Sequence, residues 1–403
     1  KAGRPIKKRC RTLFPTIARG GFDVYICFIK AGLDILPPGG RLGYIIPNKF
    51  LIAEYARALR EELLTTVTID EIIDVSDIPT FRDAAVYPVM MVLRKTPPLP
   101  DHQVSIGHVS DLAQLETDSF PRVKVAQARW QQSEHSIFWL PPVDSLAANL
   151  VDRLLADQQA VPLGQLLDIR WSISFHRAGI RDVFVFPEAT GNHPRRLLGG
   201  KRFHGNADVR RYRLDWSGWW IDYDEEHAKA LHNQFPPLSL FTQPKIVIAQ
   251  NARRIIATLD RDGYACKDTF LVGCPCSTVP LEYVLGILNS SLLSYLYSIL
   301  FKATHVGGAY LHYLACYLNE LPIRVADDPR PICALVERML DPTLTAEERQ
   351  KLDHDLDQCV NELYGLSDCE QTLVNAAIPY AWGEAGARRG SWDARKCAII
   401  AQS

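Results

Sequence analysis

The sequence predicts an α/β protein, with a doubly wound sheet at the front, a mixed α/β module behind it and a helical tail. Two patterns and the composition predict this. Over residues 22–36 apolar side chains recur at helical steps, whereas 42–47 and 86–93 are short continuous apolar runs and 69–75 is a further strand-like stretch. Helices alternating with buried strands are the rhythm of a doubly wound sheet. Hydrophobic residues make up 47% of the 403 residues and charged ones 23%. That balance suits packed cores and excludes a disordered or collagen-like chain. At ~100–200 residues per domain, there is room for about two to three domains.

In chain order, residues 1–20 form a basic arm. It holds Lys1, Arg4, Lys7, Lys8, Arg9, Arg11 and Arg19 and no acid, and is either solvated or placed beside phosphate. The first residue is lysine, not methionine, so a fragment or processed product is expected. Phe22, Tyr25, Ile26, Ile29, Leu33 and Leu36 share one helix face, with Tyr25 turned to the core, until Pro37-Pro38-Gly39-Gly40 stops the helix. Leu42 to Pro47 reads as a strand buried on both faces, as in parallel sheets. A helix over 54–64 and strands over 69–75 and 86–93 follow, and Pro97, Pro98 and Pro100 close a first domain, 1–100. Residues 101–160 read as a connector with anchors Trp130 and Trp139 and a helix over 143–155. A mixed module over 161–325 carries strand-like runs at 183–186, 219–223 and 245–249. The helical remainder, 326–403, contains Thr345-Ala346-Glu347-Glu348, the pattern of a helix start.

Charge is informative only when resolved along the chain. The total is −1, from 45 basic and 46 acidic residues, which by itself argues against a polyanionic partner. The balance is a cancellation, however, between the basic arm, a basic patch at 195–213 and an acid-rich stretch near 341–370. Ten cysteines are too few for a disulfide-stapled secreted module, and no signal peptide opens the chain, so a cytoplasmic protein is expected. The apolar run 281–301 has the length of a membrane span, but Asn289-Ser290-Ser291 interrupts it with a helix end and a new cap. Two buried helices, and no membrane partner, are expected. Cys266, Cys274 and Cys276 lack the paired C-x2-C spacing of a zinc site and read as structural thiols, with no metal.

Three stretches near the front carry a family likeness. They are Phe22-Asp23-Val24-Tyr25-Ile26-Cys27-Phe28-Ile29 leading to Gly43-Tyr44-Ile45-Ile46-Pro47-Asn48-Lys49-Phe50, then Ile69-Asp70-Glu71-Ile72-Ile73-Asp74, then Thr80-Phe81-Arg82-Asp83-Ala84-Ala85-Val86-Tyr87-Pro88. In that order they resemble the C-terminal half of the Rossmann-like domain of a gamma-class DNA adenine methyltransferase. Further on come Leu198-Gly199-Gly200-Lys201-Arg202, Pro244-Lys245-Ile246-Val247-Ile248, Leu285-Gly286-Ile287-Leu288-Asn289-Ser290 and Gly307-Gly308-Ala309-Tyr310. These are similar to the TaqI-like specificity domain of type IIG restriction-modification and phage-defence methylases. The resemblance implies adenine N6 methylation from S-adenosylmethionine, double-stranded DNA as partner, and base flipping. It also implies a glycine-containing cofactor turn and an Asn/Asp-Pro-Pro-Tyr/Phe loop ahead of Phe22, and neither occurs there. Most of the cofactor pocket is therefore expected to lie outside this sequence, as is any nuclease, and the chain is expected to be inactive alone. The alternative is a non-catalytic DNA-specificity module, or one complemented in trans.

By the resemblance, Phe81 would stack on a flipped adenine, replacing stacking worth ~1–3 kcal/mol per base. Lys49 follows a strand at its carboxyl end, where doubly wound sheets bind ligands, and is a candidate for phosphate, while Asn48 is expected to cap the next helix. In the patch 195–213, Arg195, Arg196, Lys201, Arg202, Arg210, Arg211 and Arg213 are opposed only by Asp208, a local +6 interleaved with aromatics. Arginine suits both guanine and phosphate, so this patch is the expected DNA reader, with Arg253 and Arg254 as a second pair. Thr304, Gly307 and Gly308 form a loop that a phosphate can approach closely.

Overall fold

The computed structural model describes residues 3–78, 87–133, 135–177, 179–200, 208–305 and 310–378. They form two compact units. The first runs to Asn149 and includes Ile299–His305; the second holds Leu150–Ser298 and the described residues that follow.

The first unit is built on a five-stranded sheet of order β1-β3-β2-β4-β5. The strands are β1 (Arg41–Pro47), β2 (Thr68–Asp74), β3 (Pro88–Arg94), β4 (Gln103–His108) and β5 (Arg122–Ala126). Helices α1 (Arg4–Leu13), α2 (Tyr25–Ile35) and α3 (Arg57–Thr66) belong to the same unit. The expected parallel sheet is mixed: β2 and β4 pair parallel, while the other neighbours pair antiparallel. A β4–β5 span of Gln103–Ala126 is too short for a crossover unit of about 30 residues, so that pair closes as a return. Nor is β1 buried on both faces. It is an edge strand, with Arg41, Gly43 and Ile45 exposed. Residues 101–126, read from the sequence as part of a connector, supply two strands of this sheet. Trp130 is fully buried and stacks on Phe138 at 4.6 Å, so the anchor expected there is present.

The second unit has an all-antiparallel sheet of order Ala257–Asp260, Lys245–Ala249, Phe270–Pro275, Leu167–Trp171. A second sheet joins Ala265–Cys266, Pro194–Leu198, Trp220–Asp222 and Val185–Phe186. The apolar run 281–301 is a helix pair, Leu281–Leu288 and Ser291–Leu300, bent by 61° at Asn289-Ser290. No single helix among the described residues is long and apolar enough to cross a membrane. The break has a structural use. Asn289 presents its amide to the edge strand, accepting from Ala257 N at 2.9 Å and donating to Ala257 O at 2.9 Å. Gly286 lets the helix Arg330–Met339 close on it, since a Cβ there would lie 2.8 Å from Ile332 and 2.9 Å from Val336. The tail helix Ala346–Leu363 starts with the expected capping box, formed by Thr345 and Glu348.

One ion pair where the edge strand of the antiparallel sheet ends is fully dry. Lys245 and Asp260 have no exposed side-chain surface and are in contact; Lys245 Nζ also donates to Phe241 O at 2.6 Å. Asp260 in turn accepts from Asp262 N at 2.8 Å and Tyr264 N at 3.0 Å, fixing the turn that follows its strand. Removing one partner strands a buried charge, at a cost of about 3–5 kcal/mol. Lys245→Met should lose stability on that scale in urea unfolding, and adding Asp260→Asn should restore part of it. A loss below about 1 kcal/mol in the single variant would show that Asp260 is neutralised without Lys245.

Candidate functional site

Strand polarity assembles a ligand edge in the first unit. β1 and β2 both pair antiparallel with β3, Pro47 lying opposite Pro88 and Asp74 opposite Val89. β4 runs parallel to β2, with His108 beside Asp74. Three strands therefore end at one edge, at Pro47, Asp74 and His108. In open α/β sheets this carboxyl edge is where ligands bind.

The edge is organised around a carboxylate. Asp74 is 4% exposed and accepts from Lys302 Nζ at 2.8 Å and Ser76 N at 3.0 Å, with His108 Nδ1 3.5 Å away. Lys302 also lies 3.7 Å from Asp77. Burial works to raise the Asp74 carboxyl, but the Lys302 charge and the hydrogen bonds from Lys302 and Ser76 outweigh it, leaving the group below its usual range. Burial likewise disfavours the Lys302 ammonium, yet Asp74 and Asp77 hold it above the usual lysine value. His108 and His305 are lowered, chiefly by burial, with the Lys302 charge adding to it. The His305 ring lies 5.7 Å from the Tyr87 ring. Tyr87 O accepts from Asn48 N at 2.7 Å, so the two ends of residues 75–87 and the turn after β1 are tied together.

Lys49 is exposed on that turn, Asn48–Leu51, at the predicted edge. Asn48 does not cap a helix. It is 5% exposed and its amide points to Ser76 Oγ at 3.4 Å, because the turn after β1 is 3-10 and carries no side-chain cap. Arg60 on α3, fully buried, holds this turn by donating to Phe50 O at 2.9 Å, Ile52 O at 3.4 Å and Ala53 O at 2.8 Å. Phe81 lies outside the described residues, as do Lys201, Arg202, Gly307 and Gly308. A cavity of about 20 Å³ among Asn48, Asp74, Trp139, Leu300 and Lys302 has room for one water-sized group. Binding chambers for drug-sized ligands start at about 300 Å³, so this cavity alone does not house S-adenosylmethionine.

In the second unit the basic patch divides by direction. Arg195 is exposed, and Arg196 donates to Tyr264 Oη at 2.9 Å with its guanidinium 4.2 Å from that ring and 5.9 Å from Trp216. Arg210 and Arg213 share Asp215, at 2.5 and 2.6 Å, an acid just beyond the window that gave +6. Asp208 faces inward, accepting from Gly199 N at 2.7 Å. Arg211 and Arg254 are corrected. Arg211 pairs with the buried Asp353 and donates to Asn289 O at 2.9 Å, and Arg254, 9% exposed, donates to the same carbonyl at 3.1 Å. The helix break at Asn289 leaves a buried carbonyl that draws both guanidinium groups inward, away from any surface partner. Thr304 is also spent internally: it is 5% exposed and its hydroxyl donates to Phe301 O at 2.8 Å. Arg253 is exposed, with its guanidinium 5.2 Å from the Tyr310 ring.

The comparisons follow the same division. Residues 3–81 match the Eco57I restriction-modification methylase family, and residues 201–323 match the TaqI-like C-terminal specificity domain. Both matches are to type II restriction-modification methylases, and the relatives that the chain resembles are of the same kind. The chain is 24% identical over 368 residues to the provisionally named type II restriction enzyme and methyltransferase RM.MjaORFECS2P of Methanocaldococcus jannaschii, covering 85% of this chain and 28% of that protein. It is 31% identical over 77 residues to the type II methyltransferase M.XhoI of Xanthomonas vasicola, covering 19% of this chain and 14% of that one. Among solved structures it is similar in fold to the type IIL restriction-modification enzyme MmeI, solved in complex with DNA, with TM-score 0.54 and 14% identity over 94% of this chain and 54% of that one. The chain thus spans little more than a quarter of the length of the Methanocaldococcus relative.

The cluster of Asp74, His108 and Lys302 is not among the site residues expected from the sequence. Asp74 and His108 end neighbouring strands, and Lys302 follows a long apolar run as an isolated charge. The strand-end positions were a usable signal; the pairing with a lysine 228 positions away was not.

Lys302→Met should destabilise the fold by about 1–3 kcal/mol near neutral pH. That is less than for a fully buried pair, because the Lys302 side chain is 38% exposed. A carboxyl with a depressed pKa contributes stability above its unfolded value of about 3.9 and loses it as pH falls through the folded value. Without Lys302, the largest opposition to burial is gone, leaving the weaker help of Ser76 and His108, and the Asp74 pKa rises. The deficit of the variant should therefore shrink between about pH 7 and about pH 4, as Asp74 takes up a proton. Urea unfolding at both pH values checks this; an equal deficit at each would show that Lys302 does not neutralise Asp74.

Proposed function

We propose that this chain is the target-reading part of a site-specific DNA methyltransferase that methylates adenine N6 in a restriction-modification or phage-defence system. The observation that carries the reading is the order of a methylase segment at 3–81 followed by a specificity domain at 201–323. The edge at Pro47, Asp74 and His108 supports it: residues 75–78 leave from this edge and Tyr87 returns to it. We read β1–β5 as the C-terminal half of the methyltransferase sheet. S-adenosylmethionine would supply the methyl group once bound by the remainder of the enzyme. This chain's own part is to hold the duplex and present the flipped base, Phe81 stacking on it. Lys49, Arg195, Arg210, Arg213 and Arg253, with Lys201, Arg202, Gly307 and Gly308, are the proposed DNA-contacting set. Arg196, braced between Tyr264 and Trp216, is added to it.

The second reading, a non-catalytic specificity module or a truncated product complemented in trans, is favoured by the longer match to the specificity domain, 201–323 against 3–81 for the methylase family. Two assays test what the readings share. Both readings require the chain to bind duplex DNA with a salt-dependent affinity. Methyl transfer from labelled S-adenosylmethionine by the chain alone would overturn the account of an incomplete pocket.

Phe81→Ala tests the stacking role. Loss of ~1–3 kcal/mol of stacking predicts that methylation by the completed enzyme falls about 5- to 150-fold, while duplex affinity changes less than about twofold. Equal losses in both measurements would remove Phe81 from the base pocket.

A further inference from the structure

We infer that α1 is a phosphate-gripping helix that holds the DNA backbone at the ligand edge of the first unit, separate from the specificity domain. The inference rests on the reading of the chain as a duplex-binding methylase part. Its basis is the placement and charge of the helix. α1 spans Arg4–Leu13, carries Arg4, Lys7, Lys8, Arg9 and Arg11 with no acid, and buries no residue.

Two of these cations fasten the helix and three are left outward. Lys7 Nζ donates to Phe22 O at 2.7 Å and Arg11 donates to Gly20 O at 3.0 Å, each with its charge 5.3 Å from the Phe22 ring. Phe22 is 3% exposed, so this attachment is rooted in the core. Arg4, Lys8 and Arg9 are exposed, and no carboxylate among the described residues pairs with them. Arg4 and Lys8 lie one turn apart on one face. Three uncompensated cations on an anchored helix suit a polyanion, because each phosphate neutralised releases condensed counterions.

The fold fixes where this helix sits. α2 packs antiparallel to β1. At one end Tyr25 meets Phe50 and Tyr55 at ring distances of 6.4 and 6.2 Å; at the other, a Cβ on Gly32 would lie 3.1 Å from Leu42. The start of α2 therefore stands at the carboxyl end of β1, and Phe22 precedes that start by three residues. Helix α1, fastened to Phe22, stands at the same end of the sheet as Pro47, Asp74 and His108. A cationic helix at that rim would hold the strand whose base is presented there. A membrane surface is the other polyanion an amphipathic basic helix can meet, but such helices carry a broad apolar face with Trp, Phe or Leu. Here the exposed large apolar residues on α1 are Ile6 and Leu13.

The test compares the full chain with its Arg4→Ala/Lys8→Ala/Arg9→Ala variant, by anisotropy of a labelled duplex across a salt series. At ~0.9 per phosphate contact, the slope of log K against log salt should flatten by about 2.7. The Arg4→Lys/Arg9→Lys variant should keep the original slope. An alanine variant with an unchanged slope, while the unaltered chain binds duplex, would overturn this inference and leave the proposed function standing. No duplex binding by the unaltered chain would overturn both. Loss of slope in the lysine variant would also overturn it, because charge would not be the cause. The same holds if the alanine variant loses binding only to phosphatidylglycerol vesicles, which would assign the helix to a membrane surface.

Discussion

Arg60 has no exposed surface, and its guanidinium donates to the carbonyls of Phe50, Ile52, Ala53, His135 and Ser136. These carbonyls lie in two loops, the turn after β1 and the segment before Trp139, and of the five Ala53 O also accepts from Ala56 N at 3.0 Å. A buried carbonyl without a donor costs about 1–3 kcal/mol, so this one side chain permits both loops to sit against the core. The ligand edge depends on it. Asn48 and Lys49 lie at the start of the turn that Arg60 holds, and Asn48 in turn links to Tyr87 and Ser76.

The second unit solves a similar problem at the break between its two apolar helices. The helix that ends at Leu288 leaves carbonyl groups unpaired, as every helix end does. Here Arg211 and Arg254 converge on Asn289 O, while Ser291 donates to Asp357 through N at 2.9 Å and Oγ at 2.6 Å. The Asp353 and Asp357 carboxylates on the tail helix keep this buried charge compensated. Two arginines in the stretches that look most suited to DNA are thus part of the scaffold. The surface that remains, Arg195, Arg196, Arg210, Arg213 and Arg253, is smaller and partly neutralised by Asp215.

Local signals carried much of the architecture. The capping pattern at Thr345, the break at Asn289-Ser290-Ser291, the strand Lys245–Ala249 and the turn at Pro37–Gly40 are all where short-range chemistry puts them. Those features depend on backbone preferences and nearest neighbours. The edge position of β1 was not legible, because Leu42–Pro47 is as apolar as a central strand and only its pairing partners reveal its exposed face. Nor was the direction of Arg211 and Arg254, since an arginine that reads DNA and one that satisfies a buried carbonyl leave the same letter in the sequence.

The sequence by itself determined the likeness to restriction-modification methylases, the order of a methylase-like segment before a specificity-like one, and the cancellation hidden in a net charge of −1. Order and composition are properties of the chain, and they survive without coordinates. The tertiary structure decided which cations face outward, which carboxylate organises the ligand edge, and that Lys302 is its partner. Those outcomes turn on burial. An ionic group removed from water must find a counter-charge or donor wherever the fold supplies one, and here that partner is 228 positions away.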